Sequence, residues 1–318
     1  MFRHLFLTCL CAVSLVSHAE SNSQIAAIEF EPVKVAPHSY YVQGLAGAVS
    51  PDNQGFMSNA GFVITKAGVV VFDTLGTPVL AQKLVDKIAK ITRQPIKLVI
   101  ISHYHADHIY GMQTFKALGA EIWAHADGQQ YIGSAEAMAR LDQRRAMLNP
   151  WVDENTQVLP ADKWLAGDTD FEMGGLHFEL QHVGPAHSQE DMVMLVKEDG
   201  VLYSGDLVFK GRVPFVGNAD SRLWLQALDK LIALKPKYMI PGHGSASITP
   251  IEDLKLTRNY LNYVRQSMGK AVKNFVPFDE AYANTDWSLF SQLPAFLDAN
   301  RANAYNTYLL MESEGLEH

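Results

Sequence analysis

Residues 98–111 read LVIISHYHADHIYG, and this stretch decides how the rest of the sequence is interpreted. The run over residues 98–101 is apolar and rich in β-branched side chains, which is typical of a buried strand. Three histidines and an aspartate follow within six positions, and these are the candidate metal ligands: His103, His105, Asp107 and His108. Imidazole and carboxylate groups together suit zinc, and also iron or manganese.

The spacing of these four residues suits two neighbouring metal ions. His103 and His105 are two positions apart in an extended segment, so their side chains point to the same side. Asp107 and His108 follow where the chain is expected to turn into a helix over residues 109–118, so they face a neighbouring point. The alternative is a solvated loop, but such a loop is not expected to hold four potential ligands in six positions. We therefore predict that one short loop serves two metals.

The sequence HYHADH has the form of the HxHxDH signature of the metallo-β-lactamase fold superfamily. In that family a third histidine, a bridging aspartate and a final histidine follow in order. The chain resembles the family at each of these points, with His187 in VGPAHSQEDMVM, Asp206 in VLYSGDLVF and His243 in YMIPGHG. The resemblance covers roughly residues 38–247. It implies a mixed α/β fold, a four-layer αββα sandwich in which two stacked sheets lie between outer helices.

The resemblance also implies a ligand set for two zinc ions, with iron as the alternative metal. The expected ligands of the first site are His103, His105 and His187, and those of the second site are Asp107, His108 and His243. Asp206 is expected to bridge the two metals. A bridging hydroxide would attack an acyl bond in a thioester, a lactone or a β-lactam, and Asp107 would also be the catalytic residue that relays the proton.

Asp73 closes the apolar run VVVFDT, where a carboxylate is costly unless it is paired. The resemblance implies that Asp73 supports the metal histidines from outside the ligand set, and a turn aspartate is the alternative. Lys210 and Arg212 follow Asp206 on one loop, so either is a candidate for holding a substrate carboxylate, the alternative being a solvent-facing cation.

Two further segments bear on the site. Residues 50–57 are dense in turn formers and are predicted to be either a mobile loop with Phe56 and Met57 as an apolar lid, or an ordinary hairpin connection. Residues 126–148 are predicted to be helical, and their arginines are most simply a solvated face: Arg140, Arg144 and Arg145. His125 and the two histidines of the later strands, His177 and His182, are interpreted as structural.

The N-terminus is typical of a secretory signal peptide over residues 1–19, with Arg3, an apolar run and a cleavage position near Ala19. It predicts a periplasmic or secreted protein. Both cysteines of the chain, Cys9 and Cys11, lie in that segment, so neither a disulfide nor a cysteine ligand is expected afterwards. Residues 20–37 are predicted to be an irregular lead-in.

The remaining features limit the partners. The net charge of −8 gives no basic footprint for nucleic acid, and no later segment is long enough to span a membrane, so a small-molecule substrate is expected. Residues 248–318 are predicted to be a C-terminal helical extension, with helices over 259–273, 286–297 and 302–311. This aromatic-rich extension could pack on the sandwich, wall the substrate cleft or form a homodimer contact.

A finer resemblance concerns the extension and the run YSGDLVFKGRVPFVGNADS. Both are similar to the exported zinc metallohydrolases that accompany quinoprotein dehydrogenases and sulfur-oxidation systems, the SoxH-like relatives. Two alternatives to a dinuclear zinc hydrolase stay open. One is a mononuclear iron oxygenase of the persulfide dioxygenase type, and the other is a non-catalytic periplasmic accessory of a quinoprotein or sulfur-oxidation pathway.

Overall fold

Seven strands form the first sheet of the computed structural model, which describes residues 28–316. In the order of the sheet they are β1 (Val33–Lys34), β2 (Ser39–Val42), β3 (Ala60–Ile64), β4 (Val69–Phe72), β5 (Ile96–Ile100), β6 (Glu121–His125) and β7 (Lys163–Leu165). The pairs from β1 to β4 are antiparallel, and those from β4 to β7 are parallel. The predicted signal peptide lies outside the described residues.

Five strands form the second sheet, in the order β12-β11-β10-β9-β8. Their bounds are β8 Thr169–Met173, β9 Leu176–His182, β10 Met192–Val196, β11 Val201–Phe209 and β12 Tyr238–His243. All pairs are antiparallel except β11 with β12, which run parallel. The two parallel strands therefore end at the same edge of this sheet, and both end beside the site described below.

The helices lie in two groups along the chain. They are α1 (Pro78–Ile91), α2 (Ala106–Ile109), α3 (Met112–Ala117), α4 (Ala135–Leu148), α5 (Ser221–Ala233), α6 (Pro250–Lys273), α7 (Phe278–Asn284) and α8 (Phe296–Leu316), with a 3-10 helix at Ala126–Gln130. The helix predicted over 109–118 is interrupted at Gly111, where a side chain would meet the Thr74 carbonyl oxygen at 2.0 Å. The helix predicted over 286–297 is wrong, because turns and a bend fill residues 288–295.

Side-chain alternation along the strands produces the layers. In β4, Val70 and Phe72 pack between the sheets with Phe178 of the second sheet, whereas Val71 packs on the other side against α1. The outer face of the second sheet is covered by α5, α6 and α8. The order is thus helices, sheet, sheet, helices, and the predicted αββα sandwich with a C-terminal helical part is confirmed.

The C-terminal helices pack on the second sheet and also hold the loop that follows β11. The amide of Asn303 on α8 donates to the Pro214 carbonyl at 2.7 Å and accepts from the Val216 N–H at 2.9 Å. Asn303 is 2% exposed, so both contacts are shielded from water. Among the described residues, no helix combines the length and apolar character that crossing a membrane requires.

Polar contacts tie the two sheets together away from the site. Asp199, in the turn between β10 and β11, is buried and accepts from the Ser39 hydroxyl at 2.7 Å and from the His38 backbone N–H at 3.0 Å. The Tyr203 hydroxyl of β11 donates towards the Phe62 carbonyl of β3 at 3.2 Å. Each contact joins one sheet to the other, which fixes how they stack.

Candidate metal centre

The seven predicted ligands come from five segments that meet at one end of the two sheets. The loop after β5 carries His103 and His105, α2 carries Asp107 and His108, the β9–β10 connection carries His187, β11 carries Asp206, and β12 ends at His243. The structure brings them together as two groups of ligand atoms. Neither sheet alone supplies a complete group with the bridge.

The first group contains three histidines and one carboxylate, namely His103, His105, His187 and Asp206. His105 Nδ1 lies 3.0 Å from His103 Nε2 and 3.0 Å from His187 Nε2. Asp206 Oδ2 lies 3.5 Å from His187 Nε2. Zinc–nitrogen bonds of about 2.0–2.1 Å place tetrahedral ligand atoms roughly 3.3 Å apart, so this spacing fits one metal ion.

The second group contains Asp107, His108 and His243. Asp107 Oδ2 lies 3.5 Å from His243 Nε2 and 3.7 Å from His108 Nε2. Asp206 reaches this group as well, because its Oδ1 lies 3.2 Å from His108 Nε2 and its Oδ2 lies 3.2 Å from His243 Nε2. One carboxylate thus contacts both groups, as a bridging ligand must.

Asp73 orients two of the histidines from the far side of their rings. Its Oδ2 accepts from His108 Nδ1 at 2.8 Å and from the Ser102 hydroxyl at 2.8 Å. The hydroxyl donates its only proton to Asp73, so it must accept the hydrogen bond from His103 Nδ1, at 2.9 Å. Both rings then carry their proton on Nδ1 and turn the Nε2 lone pair towards the ligand groups.

The backbone of Asp73 is itself constrained. The residue is 1% exposed and has a φ of +64°, a left-handed conformation that costs a non-glycine residue about 1–2 kcal/mol. Its side chain also accepts from the Ser102 backbone N–H at 2.8 Å. The contacts of its carboxylate therefore hold the turn after β4 in a conformation that the backbone alone disfavours.

His243 is oriented by the first sheet, although it belongs to the second. Its Nδ1 donates to the Met57 carbonyl at 2.7 Å. Asn59 holds the surrounding turn, since its amide donates to the Pro241 carbonyl at 2.7 Å and to the Gly244 carbonyl at 2.8 Å. Asn59 thus acts as a clamp between the start of β3 and the end of β12.

Two buried atoms of the site lack hydrogen-bond partners and are suited to bind a metal ion. Within residues 28–316, His108 Nε2 and Asp206 Oδ1 are buried and make no hydrogen bond. A buried polar atom without a partner costs about 1–3 kcal/mol. A cation between the two atoms removes that cost for both, and the nitrogen and oxygen donors are those that zinc accepts.

Burial keeps the histidines of the first group in the state that binds metal. It lowers the pKa of His105 to about 4 and that of His187 to about 3, and it lowers the pKa of His103 well below its usual value. A metal ligand must be a neutral imidazole. All three rings are therefore ready to bind at neutral pH.

The two histidines of the second group keep the carboxylates of Asp206 and Asp107 ionised. Burial raises the pKa of Asp206, but His243 and His108 outweigh that effect and hold it well below its usual value. Burial likewise raises the pKa of Asp107, and the same two histidines bring it below its usual value. Both carboxylates are thus available as anionic ligands.

Gly242 leaves room for the bridging carboxylate. A Cβ atom at this position would lie 2.0 Å from Asp206 Oδ1 and 2.7 Å from the Gly205 carbonyl carbon. No side chain fits there unless β11 and β12 separate. The glycine before His243 is therefore a steric requirement of the site.

A third cluster of possible ligands lies nearby and consists of His125, Asp127 and His182. The two imidazole rings stack with centroids 3.5 Å apart and an interplanar angle of 8°. However, His125 Nδ1 accepts from the Asp127 N–H at 3.3 Å, and His182 Nε2 donates to the Gln189 carbonyl at 3.1 Å. The nitrogens that face Asp127 are thus already engaged, in agreement with the interpretation of both histidines as structural.

A cavity of about 800 Å³ opens on the metal centre, and its lining is of two kinds. The residues that α4 contributes are mostly polar, namely Glu136, Arg140, Gln143, Arg144 and Met147. The residues that the end of β11 and the following loop contribute include the apolar Phe209, Phe215 and Val216. A ligand in the cavity therefore meets metal ligands, a charged helix face and an aromatic surface.

The prediction of a solvated arginine face on α4 is wrong for Arg144. This side chain is only 9% exposed and lines the cavity, as does Arg140. Arg145 has a structural contact instead, because its Nε donates to the Asp153 carbonyl at 2.9 Å and its Nη2 to the Thr156 carbonyl at 3.0 Å.

The structure does not place the two candidate cations of the 207–218 loop in the cavity lining. Lys210 Nζ donates to the Ala246 carbonyl at 3.0 Å and lies 3.8 Å from Asp253. Arg212 is 8% exposed, with its guanidinium carbon 5.6 Å from the centre of the Phe209 ring and 5.0 Å from that of Phe215. It thus packs against two aromatic residues of the cavity.

The loop over residues 50–57 is tied down at several points. Asn53 Oδ1 accepts from the Ser50 and Gly55 N–H groups at 3.0 and 3.1 Å. Phe56 is 1% exposed and packs on Phe30 with ring centroids 4.8 Å apart, so it belongs to the core and is not a lid. Met57 does line the cavity.

Three residues that position the site were missed by the sequence analysis, namely Asn59, Ser102 and Asn303. Ser102 and Asn59 each stand at the edge of an apolar run, directly beside a strand that leads to the site. A small polar side chain at such a boundary is the signal that could have identified them. Asn303 carries no such signal, because its partners lie far away in the sequence.

Comparison with known proteins agrees with this geometry. The family model of the metallo-beta-lactamase superfamily matches residues 53–243. The chain is 26% identical over 233 residues to the linear primary-alkylsulfatase of Pseudomonas sp. (strain ATCC 19151), which covers 62% of this chain and 44% of that protein. It is 24% identical over 237 residues to metallo-beta-lactamase IND-1 of Chryseobacterium indologenes, covering 73% of this chain and 88% of the other.

Among solved structures, the stereoselective inverting sec-alkylsulfatase Pisa1 from Pseudomonas sp. is similar, with a TM-score of 0.66 and 20% identity. The match covers 88% of this chain and 50% of that protein. Residues 1–247 make up less than 88% of the 318 residues, so the structural match must include part of the C-terminal helices. The chain spans only about half the length of the alkylsulfatases it matches.

Proposed function

The chain belongs to the metallo-β-lactamase superfamily of metal-dependent hydrolases, and on that premise we propose that it is a dinuclear zinc enzyme that cleaves an acyl bond of a small molecule. The Asp206 carboxylate is the observation that carries the proposal. Its two oxygens lie 3.2 Å from His108 Nε2 and His243 Nε2, while Oδ2 also lies 3.5 Å from His187 Nε2. A carboxylate that reaches both ligand groups supports a bridging role between two metals.

The convergence of the second group favours this proposal over a mononuclear iron oxygenase. Such an enzyme needs only the first group, which includes Asp206. Here Asp107 and His243 approach to 3.5 Å, and Asp73 orients His108 at 2.8 Å. A complete and oriented second group is costly to bury unless it binds a second cation.

The residues of the chain set the conditions for hydrolysis. Two bound divalent metals would supply Lewis acidity and hydroxide at a pH near 7. Asp107 lines the cavity as a carboxylate, so its oxygen can take the proton of an attacking water and pass it to the leaving group. Asp206 stays buried and ionised, and Phe209 and Phe215 shield one side of the cavity from water.

A thioester, a lactone or a β-lactam is the proposed substrate class, in agreement with the similarity to metallo-beta-lactamase IND-1. A sulfate ester is the second candidate, and a specific observation favours it. The likeness to the sec-alkylsulfatase extends into the C-terminal helices, and these helices hold the loop that lines the cavity. The same metal centre could therefore serve sulfate-ester cleavage.

The test is a metal analysis combined with a hydrolysis panel. The protein would be purified without chelator, its zinc and iron would be measured, and the panel would contain S-lactoylglutathione, an aryl lactone, nitrocefin and dodecyl sulfate. We expect close to two zinc per chain and turnover of one of the first three compounds. Turnover of dodecyl sulfate alone would replace the acyl proposal by the second candidate.

Two other outcomes would overturn the proposal. One iron per chain with no hydrolysis would point to the oxygenase, which oxygen uptake with a persulfide would then test. The other is two zinc per chain without turnover of any compound, even at high enzyme concentration. That result would favour a non-catalytic accessory. A His103→Ala variant is the control, because any turnover that it retains does not come from this site.

We also propose that the protein is exported, on the strength of residues 1–19. Expression of the full sequence in a Gram-negative host, followed by N-terminal sequencing of the periplasmic fraction, tests this. A chain that begins near Glu20 is expected. Retention in the cytoplasm with an uncut N-terminus would contradict export and leave the hydrolase proposal untouched.

A further inference from the structure

Helix α4 turns a polar stripe towards the cavity. Its cavity-lining residues are spaced by four, three, one and three positions, which places them on one face of the helix: Glu136, Arg140, Gln143, Arg144 and Met147. A helix on the outside of a domain ordinarily turns such a face to bulk water. This one turns it to the space above the metal ligands.

Arg144 is the unusual member of the stripe. It is 9% exposed, and within residues 28–316 it forms no hydrogen bond and no ion pair. It also lines a small recess together with Asp107 and Met57. A guanidinium that lines a cavity without a protein partner is free to bind an anion there.

Arg140 extends the same feature by one helical turn. It also lines the cavity and, among the described residues, forms no hydrogen bond or ion pair, although Glu136 stands four positions earlier. Arg145 provides the contrast on the same helix, because carbonyl groups of the 153–156 turn accept its N–H groups. On α4, therefore, the two arginines that line the cavity have no protein partner, whereas the one that does not line it is held by the backbone.

Asp107 does not neutralise this pair once the proposed metals are in place. Asp107 and Asp206 are two negative charges against the four positive charges of two divalent ions, so the centre has a net charge of about +2. The arginines then face a positive centre. A negatively charged group on the molecule that occupies the cavity would supply a counter-charge to this pair.

Guanidinium groups bind planar oxyanions through two parallel N–H···O contacts, which gives both strength and orientation. From the position of these side chains we propose that Arg144, assisted by Arg140, is an anion-binding subsite, and that the substrate carries a carboxylate or similar oxyanion beside the bond that is cleaved. The apolar part of the substrate lies against Phe215 and Val216. This inference rests on the proposed metal-dependent hydrolase and specifies its substrate class.

The test uses metal-directed thiols as probes, so that turnover is not needed. Mercaptoacetate, 3-mercaptopropionate and 4-mercaptobutyrate would be titrated calorimetrically into the zinc-loaded protein, each beside its methyl ester. The thiolate of both forms goes to the metals, and only the acid offers an oxyanion. We expect at least one acid to bind about ten-fold more tightly than its ester, as a charge-assisted contact provides.

Three variants show where the preference comes from. Arg144→Gln is expected to remove the preference for the acid and leave the affinity for the ester unchanged, and Arg144→Lys is expected to keep part of it. Arg93→Gln removes one exposed positive charge far from the cavity lining and is expected to change nothing. Metal content and melting temperature, measured for each variant, show that the centre and the fold are intact.

The outcomes separate the two proposals. Equal affinities for acid and ester in the wild-type protein, at all three lengths, would overturn the anion subsite and leave the metal centre standing. A preference that survives Arg144→Gln would overturn the role of Arg144. Failure of every thiol to bind the zinc-loaded protein would instead count against the proposed metal centre itself.

Discussion

Two clusters of histidine and aspartate lie beside the same cavity, and they differ in what their nitrogen atoms already bind. In the metal centre, His103 and His108 have their Nδ1 atoms occupied by Ser102 and Asp73, which leaves Nε2 to face the other ligands. In the His125–Asp127–His182 cluster the nitrogens that face Asp127 are themselves engaged. Proximity alone therefore does not make a metal site. The outer contacts decide which nitrogens are free to bind.

Removing the bridge should give the largest effect. In Asp206→Ala the second metal is expected to be lost before the first, because the Asp206 oxygens lie closer to the second group, at 3.2 Å from His108 Nε2 and His243 Nε2, than to His187 Nε2 of the first, at 3.5 Å. We expect a fall in kcat/KM well beyond the roughly 100-fold that loss of an outer partner costs. Metal analysis and kinetics on the panel measure both.

The matched change in the other cluster is Asp127→Ala. It should leave the metal content at its wild-type value. If Asp206→Ala retained two zinc ions, or Asp127→Ala lost one, the distinction between the two clusters would fail.

Gly242→Ala tests the bridge without altering any ligand. The added methyl group would lie 2.0 Å from Asp206 Oδ1, so either the carboxylate or the end of β12 must move. Loss of about one metal per chain is expected, together with a lower melting temperature. Gly167→Ala is the control, because nothing lies within 4 Å of a Cβ there. Full metal content in Gly242→Ala would show that the bridge tolerates displacement.

Asp73→Asn should have a smaller effect, since it changes only an outer contact. An amide accepts with one oxygen, whereas the carboxylate accepts from Ser102 through both oxygens and from His108 as well. A 10–100-fold loss of zinc affinity is expected, as measured by competition with a chelator. Ser102→Ala removes the support of His103 and one contact to Asp73 but leaves the contact of Asp73 with His108, so it should lose less. An equal loss in both variants would contradict the direct role of Asp73 at His108.

The smallest effect is expected from His182→Ala. This change removes a ring stack and one contact to the Gln189 carbonyl, so the free energy of unfolding should fall by about 1 kcal/mol or less, with metal content unchanged. Chemical denaturation and metal analysis are the measurements. A loss of bound zinc here would make the second cluster a metal site after all.

Much of the candidate site could be read from the sequence because its ligands are encoded locally. HYHADH places four of them in one short segment, His187 follows a recognisable strand, and Asp206 and His243 lie in recognisable strands. The layers could be predicted for a similar reason, since strand alternation and helical spacing are local patterns. Asp73 also stands at a strand end, where a buried carboxylate needs partners.

What the sequence did not reveal depends on contacts between distant segments. α4 is polar on most of its surface, so its pattern does not tell which face meets the cavity, and Arg144 was misread as solvated. The aromatic residues of 286–297 occur at helical spacing, yet Phe290 is buried in a turn segment where tertiary packing decides the conformation. Lys210 could not be placed either, because its partners are Ala246 and Asp253.

The clamp at Asn59 has a consequence for how the molecule folds. It ties the start of β3 to the turn before α6, and Asp199 ties the sheets together at a second point. These contacts join residues more than a hundred positions apart, so they form late, after loop closure over long distances. The bridging position needs both halves docked. Zinc should therefore bind the bridged site only in a nearly complete fold, and its release should be the first step by which the two halves come apart.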